Sequence, residues 1–213
     1  MSTVLLTGFE PFAGDDANPS WDAVSLVEVS GAELVTQLLP CVFDESIAVL
    51  RQAVVAHRPD LVIAVGLAGG RDVITPERVA INLNDARIPD NSGRSPVDEP
   101  IVDGGPAAYF TGLPIKAGVA AMRAAGVPAA VSHTAGTFVC NHVFYGLMHL
   151  IATERPGMRG GFVHVPYSAE MTAAAGASRP SLPVETIAAG LAVFVETCLK
   201  TSDDLRVSAG TLH

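Results

Sequence analysis

The segment Ser132-His133-Thr134-Ala135-Gly136-Thr137-Phe138-Val139-Cys140-Asn141 carries a cysteine from a β-like run, across a turn of small residues, to the start of a helix. The apolar residues that follow, Val143, Phe144, Leu147, Leu150 and Ile151, recur at helical spacing, which puts Cys140 in the first helical turn. There the unpaired backbone N–H groups and the positive end of the helix dipole favour a negative sulfur, and can lower a thiol pKa below its free value of about 8.5. A buried structural role is the commoner one for a lone cysteine, so chemistry requires partners. Two candidates exist: His164, near the end of the run Phe162 to Val165, and Glu77, just ahead of the run Val79 to Leu83. A Cys-His-Glu triad needs sulfur to attack, imidazole to accept and return the proton, and carboxylate to hold the imidazole in one tautomer. Each member also has a plainer reading. His164 could be a core histidine bonded to backbone, Glu77 could form a surface ion pair with Arg78, and Phe9 and Phe12 could be ordinary core aromatics. Spacing alone brings no two of these side chains within hydrogen-bond reach.

The elements that must position them alternate. Val4 to Thr7, Leu34 to Leu39, Leu61 to Val65, Val127 to Ser132 and Phe162 to Val165 read as strands, with helix-length segments between most of them. Asn18-Pro19 is a helix start, Asp44 can cap a helix carrying Ile47, Leu50 and Val54, and Gly126 ends one carrying Val119 and Met122. The last helix places Ile187, Leu191, Phe194, Val195 and Cys198 on one face. This pattern predicts an α/β chain, three layers α/β/α around a mostly parallel, mixed central sheet. Gly66 to Val79 lacks a helical period, so an antiparallel return is expected there, setting Glu77 beside the carboxyl end of the preceding strand. Ligands of open α/β sheets bind outside the carboxyl ends of the strands. Those ends deliver Gly8 to Phe12, Leu67 to Gly70, the loop to Cys140, and His164. The polar stretch Asn84 to Pro106 reads as a long functional loop.

Composition bounds the rest. The 213 residues form one expected domain, 1–213, with 200–213 as a mobile tail or interface arm. A net charge of −9 from 13 basic and 22 acidic side chains, the basic ones scattered, argues against a nucleic-acid partner. Three widely spaced cysteines make neither a disulfide framework nor a zinc site, and a reducing cytoplasm fits them. No basic leader precedes Val4-Leu5-Leu6, and the run Ile187 to Val195 is too short to cross a bilayer, so no membrane association is expected.

Six segments, in order, resemble the pyroglutamyl peptidase I (pyrrolidone-carboxylate peptidase) family. They are Thr7-Gly8-Phe9-Glu10-Pro11-Phe12, Gly66-Leu67-Ala68-Gly69-Gly70-Arg71, Glu77-Arg78-Val79-Ala80-Ile81-Asn82, Asp85-Ala86-Arg87-Ile88-Pro89-Asp90-Asn91, Ala135-Gly136-Thr137-Phe138-Val139-Cys140-Asn141 and His164-Val165-Pro166-Tyr167. The resemblance implies a cofactor-free cysteine exopeptidase of α/β/α fold, commonly a homotetramer, that removes N-terminal pyroglutamate from peptides. It implies Cys140 as nucleophile, His164 as general base and acid, and Glu77 as the residue orienting His164. It further implies Arg87 near the reacting carbonyl, Phe9 and Phe12 as an aromatic pair holding the lactam ring, Ile88 and Val139 as further apolar wall, and polar contacts from the backbone around Leu67.

Three positions depart from the family pattern: Leu67 where glutamine is usual, Ala13 where glycine is usual, and His133 where asparagine is usual. Ala13 calls for a backbone that avoids a strongly left-handed conformation, and His133 reads as structural. Two other classes of function stand beside the peptidase. The Gly66 to Gly70 loop could cradle an anion in a phosphate-dependent nucleoside-cleaving enzyme, although no helix start follows it. A non-enzymatic peptide-binding domain with an inert Cys140 is the other.

Overall fold

In the computed structural model, residues 1–176 and 178–211 are described. Chain order begins with β1 (Ser2–Phe9), α1 (Pro19–Val24), β2 (Ala32–Leu39), α2 (Glu45–His57) and β3 (Leu61–Leu67). It continues through β4 (Thr75–Pro76), β5 (Val79–Ile81), β6 (Ala108–Phe110), α3 (Ile115–Ala124), α4 (Val139–Glu154) and β7 (Arg159–Val165). It closes with β8 (Tyr167–Ser168), α5 (Ala169–Ala174), β9 (Ser181–Leu182) and α6 (Val184–Lys200). The central sheet has the order β2-β1-β3-β7-β4, in which every pairing is parallel except β4 with β7. Alternate side chains of these strands face opposite layers. Val4, Leu6, Ile63, Val65 and Val163 pack under α1, α3 and α6, whereas Leu5, Val62, Ala64 and Phe162 pack under α2 and α4.

The chain leaves β1 toward β2 on one side and returns to β3 on the other, so the order reverses between β1 and β3. A crevice opens at the carboxyl ends of such a pair. The return after β3 is antiparallel, as the absence of a helical period implies, but its partner is β7 and not the strand before it: Thr75 pairs with His164 and Pro76 with Val163. Val79 to Ile81 leaves the sheet altogether and forms a separate ribbon with β6. The segment 127–132 is not a regular strand. It makes bridges from Ala129 to Ile74 and from Ser132 to Glu77, and between them Pro76 has no N–H to donate to Ala130 O, which interrupts the ladder.

Local signals hold at several helix ends. The Asn18 side chain accepts from Ser20 N–H at 3.1 Å ahead of Pro19, and Gly126, at φ 81°, ends α3. Asp44 stands before α2 without a side-chain cap bond; its carboxylate pairs with Arg94, and its N–H donates to His142 Nε2 at 2.9 Å. The long loop 84–106 is fastened by side-chain acceptors. Asp90 accepts from the N–H groups of Phe43, Ser92 and Arg94, each at 2.9 Å, and Asn82 Oδ1 accepts from Ile101 and Val102 N–H. After α6 the chain turns back onto α3, where Asp204 accepts from the N–H groups of Lys116 and Ala117, so this part of the expected tail caps a helix start. Residues 212–213 lie outside the described ones.

The sequence reading requires Ala13 to avoid the left-handed region, and the structure places it there, at φ 57°, ahead of Gly14 at φ 85°. A bond from Asp15 N–H to Phe12 O at 3.1 Å closes this turn and imposes the conformation. A side chain in that region carries about 1–2 kcal/mol of strain, partly offset by the greater unfolded-state freedom of glycine. Ala13→Gly should therefore raise the calorimetric Tm by about 2–4 °C; an unchanged or lower Tm would show the turn to be unstrained.

Candidate active site

Cys140 is the second residue of α4, as the helical spacing implies. The first helical bond runs from His142 N–H to Phe138 O at 3.1 Å, so the N–H groups of Val139, Cys140 and Asn141 precede the ladder. The residues after the cysteine fix this turn in place. Asn141 is fully buried, accepts from Ile81 N–H at 3.0 Å and donates to Ile81 O and Leu83 O. His142 sets Nδ1 at 3.0 Å from Asn84 Oδ1 while Nε2 accepts from Asp44 N–H, which gives it the Nδ1–H tautomer.

His164 and Glu77 are brought together by the antiparallel pairing of β4 and β7. Glu77 N–H donates to Phe162 O at 2.9 Å, and His164 Nδ1 lies 2.7 Å from Glu77 Oε1. Glu77 is 0 % exposed and so is no surface residue. Its cation is Arg71, whose Nη1 lies 2.6 Å from the same Oε1; Arg78 turns instead to His133, donating from Nε to Nδ1 at 3.2 Å. His133 is thereby occupied structurally. Burial opposes ionisation of Glu77, but the His164 hydrogen bond and the His164 and Arg71 charges outweigh it and hold its carboxyl below the usual range. Burial favours neutral His164 more than Glu77 favours its cation, so His164 titrates below the ordinary 6.5.

The sulfur lies close to this pair. Gly66 on β3 is in register with His164 on β7, and a Cβ at Gly66 would sit 2.7 Å from Cys140 Sγ and 2.8 Å from Phe162 Cζ. Cys140 and His164 line one cavity of about 320 Å³ together with Phe9, Phe12, Leu67 and Phe138. The helix start does not make this thiol acidic by itself. Burial pushes its pKa up, the Cys41 and Glu77 neighbours add to the rise, and Arg71 opposes it.

Of the wall residues named from the sequence, Phe9, Phe12 and Leu67 line this cavity. Val139 does not: its side chain is 0 % exposed and packs in the core below α4, and the preceding Phe138 supplies the ring instead, 6.2 Å from that of Phe12. Phe138 stands in extended backbone at the helix N-cap, whereas Val139 is the first helical residue and is buried in the core. Arg87 and Ile88 line an adjoining outer cavity of about 840 Å³, which shares Phe12, Gly69, Gly136 and Phe138 with the inner one. Arg71 and Cys41 also line the inner cavity and were not singled out from the sequence. The six-residue offset from Arg71 to Glu77, across a segment without helical period, is the one signal that could have paired them.

The Gly66 to Gly70 loop runs into β4 rather than a helix, and Ala68 N–H is already bonded to Val165 O at 2.9 Å, so the loop is not an anion cradle. Among the described residues no helix is long and apolar enough to cross a membrane.

Comparison with known proteins agrees with this geometry. The family model described as pyroglutamyl peptidase matches residues 2–201. The pyrrolidone-carboxylate peptidase 1 of Ralstonia nicotianae is 56% identical over 216 residues, covering 100% of both chains. The pyroglutamyl peptidase I structure from Bacillus amyloliquefaciens superimposes with a TM-score of 0.94 at 53% identity, covering 97% of this chain and 99% of that one. The pyrrolidone carboxyl peptidase of Thermococcus litoralis gives a TM-score of 0.93 at 34% identity, over 98% and 100% of the two chains. Fold and family model together define a cysteine hydrolase built on a mixed, mostly parallel five-stranded sheet flanked by helices. The chain belongs to the pyroglutamyl peptidase family.

The approach of sulfur to the sheet tolerates no side chain at Gly66. Gly66→Ala should lower turnover by about 100-fold by displacing Cys140 Sγ, with a melting transition that shows the protein still folded. Parental turnover in a folded variant would show that this contact does not position the sulfur.

Proposed function

We infer that this protein is a pyrrolidone-carboxylate peptidase in which Cys140 is the nucleophile, His164 the proton carrier and Glu77 the residue that orients His164. The observation carrying this reading is the buried Glu77–His164 hydrogen bond at 2.7 Å beside a cysteine that opens a helix into the same cavity. Because Nδ1 is held by Glu77, Nε2 of His164 is the nitrogen left to exchange protons. As the Cys140 proton passes to Nε2, Sγ bonds to the carbonyl carbon joining pyroglutamate to the next residue. The oxyanion meets the unladdered N–H groups of the first α4 turn. The C–N bond then breaks, with the proton passing from His164 to the leaving amine. The pyroglutamyl thioester left on Cys140 is hydrolysed by water that His164 deprotonates.

Pyroglutamate has no free α-amine, and the cavity suits it: the apolar wall of Phe9, Phe12, Leu67 and Phe138 supplies contact for a neutral lactam. The remainder of the peptide extends into the outer cavity, where Arg87 and Ile88 act on the leaving side rather than on the lactam. Peptides with N-terminal pyroglutamate are the partners of this reading. The free thiols of Cys41, Cys140 and Cys198 support a reducing cytoplasmic compartment. Phe110, 71 % exposed on the β5–β6 ribbon, supports burial of that face in a homo-oligomer, for which the family resemblance suggests a tetramer.

The test is release of a reporter amine from a pyroglutamyl amide by the purified protein, with Cys140→Ala as control. The variant should lose about four or more orders of magnitude in turnover. The acid limb of kcat/KM should fall below pH 6.5, since neutral His164 is the active form and is lost as pH drops through its lowered pKa. Near-parental hydrolysis by Cys140→Ala would overturn the assignment.

Selectivity gives a second check. A prolyl amide has the same ring size but carries an ammonium and lacks the lactam carbonyl, so it would bury a charge among aromatic rings without a counter-ion there. The pyroglutamyl amide should be preferred over the prolyl amide by roughly 10⁴-fold in kcat/KM; comparable values would contradict the lactam pocket.

A further inference from the structure

We propose that Arg71 is a positioning residue for this reaction, tying the Glu77–His164 pair to the loop that carries Cys140 and setting the protonation balance of both. The proposal rests on the catalytic roles assigned above. Glu77 is fully buried and directs one oxygen, Oε1, at both its partners, His164 Nδ1 at 2.7 Å and Arg71 Nη1 at 2.6 Å, whereas Oε2 has no hydrogen-bond partner among the described residues. Both charged partners of this carboxylate therefore meet one atom, and the Ser132 side chain adds a smaller stabilising contact. Arg71 Nη1 also bonds the Thr75 hydroxyl, and Nη2 donates to Thr134 O at 3.0 Å. One planar guanidinium thus joins the end of the glycine-rich loop, the short strand β4, and the segment that leads through Gly136 and Phe138 into α4. These are the segments that deliver the carboxylate and the sulfur. Its donors diverge in a fixed fork, which a lysine ammonium does not reproduce.

The charged and titratable groups that face the pair of His164 and Glu77 are Arg71 from the loop, Cys140 from α4 and, beyond the sulfur, Cys41 after β2. The guanidinium acts with one sign on all three reacting groups: it favours ionised Glu77, neutral His164 and a more acidic Cys140. Without it, the buried carboxylate is compensated by a proton retained on His164. The imidazole then titrates at higher pH and, once it is neutral, the thiol ionises less readily.

The experiment uses the full-length protein as parent, Arg71→Met, Arg71→Lys and Cys140→Ala. It measures kcat and KM on a pyroglutamyl reporter amide from pH 5 to 9, the pH profile of iodoacetamide alkylation at Cys140, and a circular dichroism melt. Arg71→Met should lower kcat by about 100-fold with little change in KM. Its acid limb should move up by about 1 pH unit or more, and Cys140 alkylation should require more alkaline pH. Arg71→Lys should restore the parental acid limb while recovering only part of kcat, since it returns the charge without the fork. If Arg71→Met fails to fold, the lysine variant still decides: parental kcat together with a parental limb would show that the fork does no positioning. A folded Arg71→Met with the parental acid limb and alkylation profile would overturn the proposal, reducing Arg71 to a structural tie. Retained hydrolysis by Cys140→Ala would instead overturn the catalytic reading beneath it, so the two failures are distinct.

Discussion

A carboxylate with no exposure to solvent is the constraint from which the rest of this site follows. Removing such an ion from water costs several kcal/mol after relaxation, so Glu77 persists in its charged form only where strong, well-placed donors meet it. Here they are the His164 ring and the Arg71 guanidinium, both within 2.7 Å of one oxygen. The backbone is arranged accordingly. Two residues of antiparallel strand, Thr75 and Pro76, are enough to fix Glu77 opposite Phe162 and to set the imidazole of His164 against it. A longer strand is unnecessary, and Pro76 limits it.

The same sheet edge gathers the remaining parts. Reversal of strand order between β1 and β3 opens a crevice at their carboxyl ends, where β1 delivers Phe9 and Phe12 and β3 delivers Gly66 and Leu67. Gly66 has a packing purpose, since its missing Cβ is the space in which Cys140 Sγ and the Phe162 ring meet the sheet. The first turn of α4 is held from both sides by Asn141 and His142, whose bonds to Ile81, Leu83, Asn84 and Asp44 draw two loops against the helix start. Cys140 is therefore held in place by the buried side chains that follow it in α4, the form of preorganisation that the proposed reaction requires.

Much of this was legible in the chain. Alternating apolar runs located β1, β2, β3 and β7, helical spacing put Cys140 in the first turn of α4, and Asn18-Pro19 and Gly126 marked helix ends through backbone chemistry that acts over a few residues. What escaped depends on contacts distant in sequence. β4 pairs with β7, a strand far along the chain, and no local pattern distinguishes β7 from β3. Arg78 adjoins Glu77 in sequence, yet its guanidinium turns to His133, and Arg71 rather than Arg78 reaches the carboxylate. The choice of Phe138 over Val139 as a wall residue turns on where the extended backbone gives way to the helix. Ala13 was expected to avoid the conformation it adopts because a tight turn outweighs the preference of a single residue. A helix start can lower a thiol pKa, whereas burial, a property of the assembled site, pushes that of Cys140 up.

The central claim is that buried, ionised Glu77 holds His164 as the neutral Nδ1–H tautomer, with Nε2 free to take the proton of Cys140. Nitrogen NMR of histidine-labelled protein reads this directly. At pH 7 the account predicts that His164 shows a protonated Nδ1 and an unprotonated Nε2, and that Glu77→Gln abolishes this preference while the other histidine signals stay in place. A resting His164 with its proton on Nε2, or one fully protonated at that pH, would contradict it.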